Sequence, residues 1–469
     1  MKYIVPLVVA VLAVVSVPAH GQYRNSYVLS DSNTFNAAMG STAPDTGALN
    51  TASGVGALQA NTTGGDNTAN GASALGRNTT GTGNTASGAS ALNYNTSGSY
   101  NTASGSGALF TNTTGGANTA SGYEALYFNS TGYDNTANGS YALFYNTTGG
   151  ANTASGFGAL EYNGTGYNNT ASGFEALYYN TTGYNNTAAG YQALHSNTAI
   201  SNTAFGAFSL SSNMTGEANT ASGVSTLYSN TTGTYNSAFG VSALYSNTTG
   251  ANNAASGAFS LYSNTTGENN TAVGYSALMN NSLGSNNIAL GYNAGEAITA
   301  SNNIDIGNNG VATDNGIIRI GTKGTHKGAF IEGIYTTSLL ASSLPVYVNA
   351  AGRLSVGTSS ERYKTAIAPM GSSSEKLREL RPVRFQLKND PRGALQYGLI
   401  AEEVARVYPE LVVRDKSGQV QGVRYDELAP MLLNEVQQQH RRLAEQQAEL
   451  QDMRSQLADL RRAMQERTR

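Results

Sequence analysis

In the stretch GTSSERYKTAI, residues 357–367, Ser359 stands five residues before Lys364. A serine hydroxyl is a weak nucleophile until a base takes its proton, and a lysine amine can be that base only when neutral. Catalytic lysines reach neutrality through burial, which brings them toward roughly pH 7 or 8. Residues five apart are not neighbours on a helix, nor automatically on one face of a strand. A bend near Glu361 is therefore needed to bring hydroxyl and amine within about 3 Å.

Other chemistry is sparse. The chain has no cysteine, which excludes disulfides and thiolate metal sites. His20, His195, His326 and His440 are scattered without metal-ligand spacing, so no metal or cofactor is expected. GTKGTHKG (321–328) lacks the Gly-Lys-Ser/Thr ending of a phosphate-binding loop. A net charge of -3 argues against a nucleic-acid partner.

The elements that must hold Ser359 and Lys364 begin where the charge begins. Of 26 Lys and Arg, 19 follow Arg353, and 16 of the 29 Asp and Glu lie in the same last quarter. Before that point the chain is nearly uncharged and repetitive. NTASGSGALFTNTTGGA starts at Asn101, and a leading Asn recurs every 17 residues from Asn50 to Asn186, then again from Asn202 to Asn287. Glycine at this density rules out a helical repeat. Short strands between Gly and Asn turns fit instead, and such units bury a face only by stacking as a parallel β-solenoid.

Positions 2 and 4 of the unit accept large apolar residues (Ile288, Phe205, Phe239, Leu290) around a constant Ala at position 3. The alternation is that of a half-buried strand, with positions 2 and 4 expected inside. Leu at position 9, as in Leu109 and Leu126, is expected to add a second inward row, and Asn and Thr to form ladders from coil to coil. A core this thin favours several chains around a shared axis. Tyr127, Tyr133, Tyr178, Tyr179 and Tyr184 could serve a glycan or a cell-surface receptor. A regular threonine array could instead order water and bind ice.

The N-terminus, MKYIVPLVVAVLAVVSVPAHGQ, has a basic residue, an apolar run and small residues before Ala19, which reads as a signal peptide over 1–19. The alternative, an anchoring helix, needs roughly 20 apolar residues. Later segments are too polar to span a membrane as helices, so a mature chain that is secreted or displayed at the cell surface is expected.

The reading divides the chain into solenoid repeats over 20–307, a β-rich neck over 308–354, an α+β domain over 355–431 and a coiled coil over 432–469. In the α+β domain, Ser373 or Ser374 could cap a helix carrying Leu377 and Leu380. PVRFQLK reads as a strand, QYGLIAEEVARVYPELV as a strand and short helix, and VVRDKSGQVQGVRY as a hairpin. In the last segment Val436, Leu443, Leu450, Leu457 and Met464 recur every seven residues, with Gln439, Gln446, Met453 and Leu460 interleaved. That is a coiled-coil seam.

Two resemblances follow from these motifs. NNIALGYNAG (286–295), with NTAFGAFSL and NSAFGVSAL, resembles the head repeats of trimeric autotransporter adhesins, which are trimeric β-rolls of mostly 14-residue units. SSERYKTAI, RPVRFQLK, YGLIAEEV and VRYDELAPMLLNEV, in that order, are similar to the C-terminal intramolecular chaperone of phage endosialidase tailspikes. The second resemblance implies a domain that helps a β-structured homotrimer fold and then cuts itself off with a Ser-Lys dyad. Its motif is Ser-Asp-x-Arg-x-Lys. Ser359, Arg362 and Lys364 match, and Ser360 replaces the aspartate. By that resemblance Ser359 is the nucleophile, Lys364 its general base and Thr358–Ser359 the scissile bond.

The expected protein is thus an exported trimeric fibre or adhesin that cleaves only itself. The rival is a non-cleaving trimeric binding protein, glycan- or ice-binding, whose C-terminal domain only trimerises. A hydrolase of external substrates finds no clustered histidines or carboxylates in the repeats. An autotransporter would end in barrel strands, not in RRAMQERTR.

Overall fold

The computed structural model describes residues 37–39, 47, 49–329, 331, 345–349, 352–357, 359–388, 393–415 and 417–467. The segment read as a signal peptide lies outside these residues, as does Thr358. The chain forms two units, 1–331 and 332–469.

In the first unit, strands β1 (Ala37–Met39) through β18 (Ile318–Ile320) are each three residues long. Each pairs in parallel with the next, giving one 18-stranded sheet. The register is strict: Thr102, Ala103 and Ser104 face Thr119, Ala120 and Ser121. Between strands the chain is all turn, yet its backbone still bonds from coil to coil. Leu109 N–H donates to Ala125 O at 2.9 Å and Thr113 N–H to Ser130 O at 2.9 Å. The parallel β-solenoid read from the repeats is therefore the observed fold.

The inward face is the opposite of the one expected. Ala103 at position 3 is fully buried, while Thr102 and Ser104 at positions 2 and 4 are exposed, and this pattern recurs along the sheet. The periodicity of two was read correctly and its phase was not. A constant alanine marks the inward slot because that slot packs against Ala108 and Leu109, both buried to 0% exposure, and holds little more than a methyl. Positions 2 and 4 vary because solvent places no limit on their volume.

Leu109 keeps its place at position 9 in the left-handed region, at φ 54°. The cost of roughly 1–2 kcal/mol for an L-residue there is offset by burying the side chain, about 1.5–3 kcal/mol. Glycine at position 5 has a different cause. A Cβ on Gly105 would stand 2.2 Å from the carbonyl oxygen of Gly122 in the next coil.

The rest of the interior is polar. Asn101 at position 1 donates through Nδ2 to Asn84 Oδ1 (3.1 Å) and to Gly115 O (2.9 Å). Asn112 at position 12 donates to Asn95 Oδ1 (2.7 Å) and to the same Gly115 O (2.9 Å). Each buried amide thus uses both its hydrogens, as burial requires. The asparagine ladders anticipated from the repeat are present. Thr113 differs, donating to the Ser130 backbone carbonyl instead of to a side chain.

The second unit contains the hairpin β19–β20 (Val346–Val348, Leu354–Val356), the pair β21–β22 (Val383–Phe385, Gln396–Gly398) and the hairpin β23–β24 (Val412–Arg414, Val420–Val423), all antiparallel. Helix α1 spans Ala401–Val407 and α2 spans Tyr425–Arg467. Val404, Tyr408, Leu411, Val412 and Met431 form its core. The segment Gly371–Glu379 is a 3-10 helix in which Ser374 caps nothing; its N-cap is Met370, without a side-chain cap. Ser374 is instead buried and accepts a hydrogen bond from Asn434 Nδ2 at 2.6 Å, tying this segment to the start of α2.

Candidate active site

Between Ser359 and Lys364 the chain makes a single 3-10 turn, Glu361–Tyr363. Ser360 enters it extended (φ -67°, ψ 141°) and Lys364 leaves it extended (φ -117°, ψ 145°). Tyr363 N–H donates to Ser360 O and Lys364 N–H to Glu361 O, both at 3.0 Å. Such a turn has about three residues per revolution, so the chain doubles back. Lys364 Nζ comes to 3.1 Å from Ser359 Oγ, within hydrogen-bond reach. This is the bend at Glu361 that the spacing demanded.

Both side chains are exposed in the single chain. Arg362 points elsewhere, its guanidinium carbon 5.2 Å from the ring centre of Tyr363. Ser360 occupies the N-cap of the turn and makes no side-chain cap. Aspartate and serine are both favoured at such a cap, so the residue that departs from the Ser-Asp-x-Arg-x-Lys motif keeps a capping-competent side chain at the same place.

Residues 359–413 match the family model of the chaperone of endosialidase. The match opens on Ser359 itself and runs through the turn, the 3-10 helix, β21, β22 and α1 into β23. The chain therefore joins a parallel β-solenoid to a C-terminal chaperone-of-endosialidase segment. No curated protein and no solved structure matches it. Among the described residues no helix is long and apolar enough to cross a membrane.

Within the chaperone segment, Arg381 pairs with Glu403 at 2.5 Å, joining the start of β21 to α1. Arg381 holds the Glu403 carboxyl below its ordinary range. Tyr408 Oη donates to Ser373 O at 3.0 Å.

The solenoid tyrosines are not free platforms. Tyr127 stacks between Phe110 (4.8 Å, 14°) and Phe144 (5.3 Å, 24°). Tyr179 stacks on Tyr162, Tyr178 on His195 and Tyr184 on Tyr167. Their faces are shared with neighbouring coils, and edges and hydroxyls are what remain outside. Glu161, half-buried beside Tyr178, is raised above the usual carboxylate range by burial.

One titratable group escaped sequence reasoning. Asp305 takes position 3 of its coil, the slot that alanine fills in the preceding ones, and is only 1% exposed. Neither carboxylate oxygen has a hydrogen-bond partner among the described residues. Burial first, then the nearby Asp314 charge, pushes its carboxyl up to about 6, against a smaller opposing pull from Arg319. Arg319 is committed to Asp314 at 2.5 and 2.7 Å. The signal was present as a charged residue in an otherwise constant alanine slot.

Proposed function

We propose that this chain is the protomer of an exported homotrimeric fibre or adhesin-like surface protein, and that residues 355–431 direct the folding of the trimer and then release it by self-cleavage. The observation that carries the reading is the 3.1 Å contact between Lys364 Nζ and Ser359 Oγ at the first residues of the matched segment.

In this reading Ser359 Oγ attacks the carbonyl carbon of Thr358, and Lys364 accepts the hydroxyl proton. The Thr358–Ser359 C–N bond breaks as the ester forms, and the proton passes to the departing Ser359 amine. Water then hydrolyses the ester, leaving a Thr358 carboxylate and a free Ser359 N-terminus. The hydroxyl lies on the residue that supplies the leaving nitrogen, so the attack closes a five-membered ring and needs no external substrate. Arg362 supports the motif without touching the dyad.

Desolvation is what makes a lysine lose its proton. Exposure of the dyad in one chain is therefore consistent with a reaction that waits for assembly. The heptad side chains of α2, from Val436 to Met464, are exposed in one chain and would be covered in a three-stranded coiled coil.

The test is to read the N-termini of the purified protein by mass spectrometry. Wild type should yield a fragment that begins at Ser359, and Ser359→Ala should stay whole. Identical products from both would remove self-cleavage and leave the non-cleaving trimeric binding protein as the reading.

A further inference from the structure

The outward phase of positions 2 and 4 changes the meaning of their apolar residues. Over most of the solenoid these two exposed rows carry Thr, Ser and Asn. Toward its C-terminal end they turn aliphatic. Ile288, Ile304 and Ile318 stack in one row, and Val273, Leu290, Ile306 and Ile320 in the other, in strict parallel register. Leu290 is 48%, Ile306 37% and Ile320 73% exposed. The residues between the rows, Ala289, Asp305 and Arg319, project toward the opposite side of the sheet.

We infer that this two-row face over β15–β18 (Thr271 to Ile320) is where the solenoids of separate copies of this chain pack against one another, and that the hydroxyl rows before it stay wet. The inference rests on the trimeric reading above and locates its contact. The rows leave on the order of 500 Å² of contiguous apolar surface per chain, at the upper end of what single chains expose without an interaction. A standard interface buries roughly 800 Å² per partner. The face is thus large enough to need a cover and too small to hold copies together alone, as expected of one part of an interface that a second apolar surface completes. The exposed heptad stripe of α2 is such a surface, and its natural cover is likewise another copy. A glycan or a charged partner would leave seven aliphatic side chains against polar groups.

The chain has no cysteine, so single labels can be placed cleanly. Pyrene would be attached to full-length Leu290→Cys, Ile320→Cys and, as control, Thr266→Cys on an exposed turn of the same region, with mass measured by sedimentation. Strong excimer emission at 290 and 320, and monomer emission at 266, is the expected result. A trimer that shows only monomer emission at 290 and 320 overturns the inference while leaving the trimer intact. A single sedimenting chain overturns the trimeric reading itself. As a second measure, Leu290→Ser with Ile306→Ser and Ile320→Ser restores residues that other coils already carry, so the coils keep their fold. It should raise at least tenfold the concentration at which the assembly dissociates, and an unchanged value counts against the face.

Discussion

Lys364 reaches back over one 3-10 turn to place its amine 3.1 Å from the hydroxyl of Ser359. The contact depends on local backbone, not on distant packing, and it stands at the first residue of the segment that matches the chaperone of endosialidase. Its chemical value depends on proton transfer, which separates charge from chemistry in a measurable way.

Lys364→Arg keeps a cation at the dyad but substitutes a guanidinium that stays protonated in proteins. We expect no Ser359-initiated fragment from this variant over hours in which wild type is fully processed, with trimer mass by sedimentation unchanged. General-base catalysis contributes about 10²–10⁴-fold, so cleavage at near wild-type rate would exclude Lys364 as the base.

Asn112→Ala removes two donated bonds and leaves Asn129 Nδ2 without the Asn112 oxygen at 2.8 Å. An unsatisfied buried group costs about 1–3 kcal/mol. The loss should appear as faster amide hydrogen exchange in the coils around residues 95–129, with distant coils unaffected because each coil contacts only its neighbours. Uniform exchange along the solenoid would contradict this.

Asp305 should make the last coils sensitive to pH. Its folded carboxyl is raised to about 6 from an ordinary value near 3.8. The folded state therefore holds the proton more tightly, and stability present below about pH 4 is lost as pH rises through about 6. The change is on the order of 3 kcal/mol. Exchange of amides over 298–320 should accelerate from pH 4 to 6 beyond its intrinsic dependence. Asp305→Ala, restoring the residue of the other coils, should flatten that response and slow exchange at pH 7. Asp314 and Arg319 are the charged groups that face it.

Much of the architecture is legible in residue order alone. The 17-residue spacing, the glycines and the asparagines together leave a parallel solenoid as the only way to pair every backbone group, and the heptads announce a long helix before any coordinate is known. The dyad was likewise named by residue type and order, down to the bend at Glu361. Three matters needed tertiary structure. Thr102 and Ser104 face out because the interior slot beside Leu109 admits only alanine, and alternation has no way to state its own phase. Ser374 lies in the interior against Asn434, sixty residues later in the chain, where a local capping rule sees nothing. Asp305 acquires its unusual acidity from burial among atoms of other coils. In each case the deciding quantity is the volume or polarity of neighbours remote in sequence, which residue order encodes only through the completed fold.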